Sequence, residues 1–123
     1  MKKKILIFED DLATAELAGI VAEQLGFEVA YRIRTDSVLS DVAAESPHII
    51  LMDNWIPGDG GFDSIQLLKN TPTTADIPII FYSANTDFAG LAQTSMADAY
   101  ITKPFDITDL EGIIKRLIPD SNM

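Results

Sequence analysis

Four short stretches of this 123-residue sequence carry side chains suited to a hard cation and a phosphoryl group, each just after an apolar run. Glu9-Asp10-Asp11 follows Ile5-Leu6-Ile7-Phe8, and Asp53 follows His48-Ile49-Ile50-Leu51-Met52. Ser83 follows Pro78-Ile79-Ile80-Phe81-Tyr82, and Lys103-Pro104 comes shortly after Ala99-Tyr100-Ile101. If these runs are neighbouring strands, the four sets of side chains meet in one place. Two unpaired carboxylates ~5 Å apart repel by roughly 3 kcal/mol at an effective dielectric near 20, so a group of three needs a cation. Oxygen ligands without Cys or His favour Mg²⁺, or Mn²⁺, over zinc. A lysine adds a second positive charge and a serine adds a donor. Charge neutralisation and in-line positioning are what phosphoryl transfer needs most.

The elements that must position these residues are legible in the hydrophobic pattern. The unbroken apolar runs at Ile5–Phe8, His48–Met52, Pro78–Tyr82 and Ala99–Ile101 are expected for strands covered on both faces, and Phe27–Ile33 reads as a further strand. Between them fall helical patterns. Asp11 can cap a helix carrying Leu17, Ile20, Val21 and Leu25, which Gly26 ends. A small helix is expected from about Ser37 to Glu45, and another with Phe62, Ile65 and Leu68 after the turn-rich Pro57–Gly61. A weaker helix over Asp87–Thr94 carries Gly90. In the last helix, Leu110, Ile113, Ile114, Leu117 and Ile118 keep the helical rhythm, Thr108 and Glu111 make a capping-box pattern, and Pro119 is the stop. Alternating βα units imply an α/β fold with a parallel sheet and helices on both faces. Ligands in such sheets sit beyond the carboxyl ends of the strands.

Composition narrows the field further. A hydrophobic fraction of 47% with 23% charged residues fits one packed domain spanning 1–123, its core about 3–119. Nine basic against 19 acidic residues leave a net charge of −10, which repels nucleic acid and anionic membranes. Without cysteine there are no disulfides, thiol nucleophiles or thiolate metal sites. The apolar run behind Met1-Lys2-Lys3-Lys4 is too short for a signal peptide, and no stretch approaches the ~18 apolar residues of a membrane span. A soluble cytoplasmic protein is expected. His48, beside Pro47 and far from the acidic strand ends, is read as structural.

The segments Ile5–Asp11, Leu51-Met52-Asp53 with Pro57, Ser83-Ala84 and Tyr100–Phe105 closely resemble the response-regulator receiver family of two-component signalling, in order and over essentially the whole chain. The resemblance implies a three-layer (βα)5 flavodoxin-like fold, its five strands in the order 2-1-3-4-5. That order is the one the fold class is known for. It also implies roles for single residues. Asp53 matches the phosphoacceptor, Asp10 a direct Mg²⁺ ligand, Glu9 a ligand through water, and the backbone carbonyl of Trp55 a further ligand. Ser83 and Lys103 match the groups that bind phosphoryl oxygens, the Lys103–Pro104 bond is expected to be cis, and Tyr100 matches an aromatic switch coupled to Ser83.

The same resemblance implies a stand-alone phosphorylation switch with no effector domain, more a signal carrier than an enzyme with turnover. It would catalyse its own phosphorylation and slow autodephosphorylation. A sensor histidine kinase or histidine phosphotransfer protein would donate, with docking expected near Ala13, Thr14 and Leu17. Output would go by protein contact, by relay to another histidine or through Phe88, Leu91 and Tyr100. The large Trp55 is expected to hinder the water that hydrolyses the phospho-aspartate. An aspartyl-phosphate phosphatase would place Asp-x-Asp after the first strand, which this chain does not, and a flavodoxin would place a Ser/Thr/Gly-rich loop there.

Overall fold

The computed structural model describes residues 2–83 and 94–119. Its elements run β1 (Lys4–Phe8), α1 (Leu12–Gln24), β2 (Glu28–Arg32), α2 (Val38–Glu45), β3 (Ile49–Asp53), α3 (Gly61–Lys69), β4 (Ile79–Ser83), β5 (Ala99–Thr102) and α4 (Ile107–Leu117). The strands form one parallel sheet in the order β2-β1-β3-β4-β5. The helix expected over Asp87–Thr94 lies, but for Thr94, outside the described residues, as do Phe88 and Leu91.

The two-residue period of the strands divides the core between two faces. Ile5, Ile7, Ile49, Leu51, Ile80 and Tyr82 point to one side, where α1 and α4 contribute Ala15, Ala18, Val21, Ala22, Leu110 and Ile114. Leu6, Phe8, Ile50, Met52, Ile79 and Phe81 point to the other, against Val38 and Val42 of α2 and Ile65 and Leu68 of α3. Each fully buried Val, Leu, Ile, Met or Phe among them contributes about 1.5–3 kcal/mol by leaving water. Covering both faces explains why β1, β3 and β4 read as unbroken apolar runs.

Helix ends follow local chemistry. Asp11 caps α1, its carboxylate accepting from the Thr14 amide and hydroxyl. Gly26 just past α1 has φ +92°, a conformation that costs glycine no Cβ clash. The capping-box expectation for the last helix is corrected: Asp106, in extended conformation, is the cap and accepts from the Thr108 amide at 2.9 Å. The carboxylate two residues earlier reaches the free N–H groups before Thr108 can, so Thr108 sits inside the first turn. His48 is structural, its Nδ1 accepting from the Lys4 amide at 2.9 Å.

At the amino-terminal end of the sheet, Lys69 of α3 donates to the carbonyls of Ala75 and Ile77 at 3.1 and 2.8 Å. It also pairs with Asp98 at 2.7 Å. Asp98 in turn accepts from the Ile79 amide at 2.8 Å, which ties α3, its following loop, β4 and the start of β5 together.

Candidate functional site

Strand register sets the site. Phe8 lies opposite Met52, Asp53 opposite Tyr82, and Ser83 opposite Thr102, so all four strands end at one level. The ladder continues just past the strands: the Glu9 amide donates to the Arg32 carbonyl, Asn54 to Tyr82, and Lys103 to Ser83, at 3.0, 2.9 and 3.0 Å. The backbones that carry the site are therefore extensions of the sheet.

On this platform Glu9, Asp10 and Asp53 each bring a carboxylate oxygen within 4.8 Å of the other two. Glu9 and Asp53 are 1% and 2% exposed, whereas Asp10 faces solvent. The Lys103 ammonium lies 2.6 Å from Glu9 Oε1 and 3.2 Å from Asp53 Oδ1. The Lys103–Pro104 bond is cis, and Ser83 is fully buried. Trp55, two residues beyond Asp53, is 67% exposed, and Tyr100 on the edge strand β5 is 56% exposed. The third acid of the run, Asp11, is committed to the α1 cap.

One side chain at the site escapes a reading of the sequence. The Tyr82 hydroxyl donates to Glu9 Oε1 at 2.8 Å, deep in the protein. The Lys103 ammonium stands 4.5 Å from the centre of the Tyr82 ring, a cation–π contact, and Phe105 meets that ring edge-on. Glu9 Oε2 accepts from the Asp11 amide at 3.0 Å. The one available signal is the position of Tyr82 directly before Ser83, at the end of a buried strand.

The charges reflect these contacts. Burial alone would raise the Glu9 carboxyl, but hydrogen bonds from Lys103, the Asp11 amide and Tyr82 bring it below its ordinary value. Asp53 goes the other way: burial and the charge of Glu9 outweigh Lys103 and push it up to about 6. Burial works against the Lys103 ammonium, yet Glu9 and Asp53 hold its pKa above the ordinary value. Burial and the charge of Glu9 raise the Tyr82 phenol, so it remains a donor. Two buried carboxylates share one cation, and a second cation would relieve the excess negative charge. The oxygen-only donor set at this separation fits Mg²⁺ or Mn²⁺.

A doubly wound parallel sheet with acids, a hydroxyl and a lysine at its carboxyl edge defines the class of protein, and comparison with known proteins agrees. The family model of the response regulator receiver domain matches residues 5–115, and the chain belongs to that family. It is 33% identical over 120 residues to the phosphate regulon transcriptional regulatory protein PhoB of Klebsiella pneumoniae, covering 96% of this chain and 52% of that protein. The chain thus spans about half the length of the curated relatives it matches. Among solved structures, a response regulator from Chloroflexus aurantiacus superposes with a TM-score of 0.89 at 24% identity, covering 97% of this chain and 99% of that one. The receiver domain of the sensor histidine kinase PA1611 from Pseudomonas aeruginosa superposes with 0.86 at 23% identity, covering 98% and 100%. That structure has a magnesium ion coordinated in its active-site cleft. In this chain, no helix among the described residues is long and apolar enough to cross a membrane.

Proposed function

We propose that this receiver domain takes a phosphoryl group onto Asp53 from the phosphohistidine of a sensor histidine kinase or phosphotransfer protein, assisted by Mg²⁺. The observation that carries this reading is a buried Asp53 with a lysine ammonium at 3.2 Å and two further carboxylates within 4.8 Å. A carboxylate oxygen of Asp53 attacks phosphorus as the nitrogen–phosphorus bond of the donor breaks. Asp10, Asp53 and the Trp55 carbonyl would hold the ion, with Glu9 reaching it through water, and the ion supplies charge neutralisation on the phosphoryl oxygens. Lys103 and Ser83 would grip the transferred group, and Tyr100 would respond to the change at Ser83.

The surface beside the site suits a protein donor. Thr14 and Leu17 of α1 line a shallow pocket with Lys103, Pro104 and Phe105, so a partner seated there reaches the lysine. Output would pass by protein contact. The net charge of −10 argues against this segment itself gripping nucleic acid or an anionic membrane, and a cytoplasmic setting fits a kinase donor.

Trp55, the single tryptophan, reports on the site from two residues beyond the acceptor. Its emission is expected to change with Mg²⁺ and again with beryllofluoride, and Asp53→Ala is expected to lose the second change. Silence to both additions in the parent chain would refute the assignment. The exposed indole also bears on signal lifetime. Trp55→Asn is expected to speed hydrolysis of the phospho-aspartate by about tenfold, or ~1.4 kcal/mol in the barrier. A decay rate equal to or slower than that of the parent would show that the indole does not shield the bond.

A further inference from the structure

A metal ligand supplied by a backbone carbonyl is only as well placed as its loop, and the segment from Asn54 to Gly60 has no regular structure of its own. Its base is closed. The Asn54 amide donates to the Tyr82 carbonyl, and the Gly61 amide returns to the Asn54 carbonyl at 3.3 Å. Gly61 sits so close to the Asp53 carbonyl that a Cβ there would collide with it. Ile56 is buried. The tip, Pro57 to Asp59, faces solvent and needs another anchor.

That anchor comes from a different loop. Thr35, between β2 and α2, is fully buried although it lies outside any helix or strand. Its amide donates to the Pro57 carbonyl at 2.8 Å, and its hydroxyl donates to the same carbonyl at 3.1 Å. The hydroxyl oxygen also accepts from the Gly60 amide at 3.0 Å. One side chain therefore serves both flanks of the tip, donating on one side and accepting on the other. Gly58 makes the approach possible. At φ +108° a Cβ would lie 2.8 Å from Thr35 Oγ1 and 2.9 Å from the Asp36 amide. Because β1 lies between β2 and β3, this clamp joins the loops of the two strands that flank the Glu9–Asp10 turn.

We propose that Thr35 is a positioning residue for the metal-binding loop, holding the segment that presents the Trp55 carbonyl through its paired hydrogen bonds to Pro57 and Gly60. The inference rests on the reading of the site as a Mg²⁺ centre. Thr35 is not among the clustered carboxylates, and it acts by restricting where the loop can go. Removing its hydroxyl would strand a Gly60 amide and leave Pro57 with one donor, which loosens the tip. Outer partners that orient ligands are commonly worth about ten- to a hundredfold in metal affinity.

The test is Mg²⁺ titration of the full chain, followed by Trp55 emission and backbone amide NMR shifts, on samples shown to be fully folded by circular dichroism. Thr35→Val keeps the branched shape without the hydroxyl and is expected to weaken Mg²⁺ binding about tenfold. Thr35→Ser restores the hydroxyl and is expected to stay within about twofold of the parent. Gly58→Ala leaves every polar group in place but drives the loops apart, and is expected to weaken binding as Thr35→Val does. It decides the matter if Thr35→Val fails to fold. Undiminished Mg²⁺ affinity in folded Thr35→Val or Gly58→Ala would overturn the proposal alone. No Mg²⁺ response even in the parent chain would overturn the metal reading and the proposal together.

Discussion

Asp53→Asn is expected to take up no phosphoryl group from a histidine kinase or a small-molecule donor, and to be more stable than the parent near neutral pH. The first effect is all-or-none, because an amide lacks the nucleophilic oxygen pair that forms the acyl phosphate. The second has an electrostatic origin. Burial and the charge of Glu9 push the Asp53 carboxyl up to about 6, above its ordinary value. The folded chain therefore holds that proton more tightly than the unfolded chain does. Its contribution to stability is complete below the ordinary value and is lost as pH rises through about 6. That difference corresponds to roughly 3 kcal/mol, and asparagine, which never ionises, avoids the loss. In chemical denaturation with a chelator present, Asp53→Asn should gain ~2–3 kcal/mol at about pH 7.5 and almost nothing at about pH 4. Added Mg²⁺ should shrink the gain by stabilising the parent. Equal stability at both pH values would mean that Asp53 is not held in a crowded negative setting.

Lys103→Met is expected to be the most destabilising of the site substitutions. It removes the cation that sits 2.6 Å from Glu9 and 3.2 Å from Asp53 and leaves two buried carboxylates facing each other. Breaking one side of a buried pair costs about 3–5 kcal/mol; with Tyr82 and the Asp11 amide still donating to Glu9, ~3 kcal/mol is expected at neutral pH. Glu9 is held below its ordinary value, so the stability it contributes is present above that value and lost as pH falls through the folded one. The gap between the two chains should therefore narrow in acid. Asp53→Asn should stabilise the Lys103→Met chain by more than it stabilises the parent, since without the lysine the Asp53 charge faces Glu9 unrelieved. Denaturation curves for the two single variants and the double variant measure this coupling. Strict additivity would show that the lysine and Asp53 do not share one electrostatic unit.

Much of this arrangement is legible in the sequence because buried parallel strands are written as unbroken apolar runs. Asp53 and Lys103 can be placed at strand ends for that reason, and the sheet brings them together. Lateral reach is not legible. Tyr82 lies on β4 and Glu9 follows β1, with β3 between them, so their hydrogen bond depends on strand order and register across 73 positions of sequence. As a residue in an apolar run, Tyr82 looks like any other core aromatic. Thr35 is hidden in the same way, since a threonine before a helix reads as an ordinary turn residue until the Pro57 loop is seen beside it. The cap of the last helix is ambiguous in sequence because Asp106 and Thr108 are both good capping residues and only backbone conformation separates them.

The Lys69 crosspiece has a mechanical consequence. It fastens the end of the sheet remote from the acids by bonds from a largely shielded Lys69 to two carbonyls and to Asp98. Such an anchor opposes sliding of α3 past the starts of β4 and β5, since a displacement there would break charge-assisted hydrogen bonds.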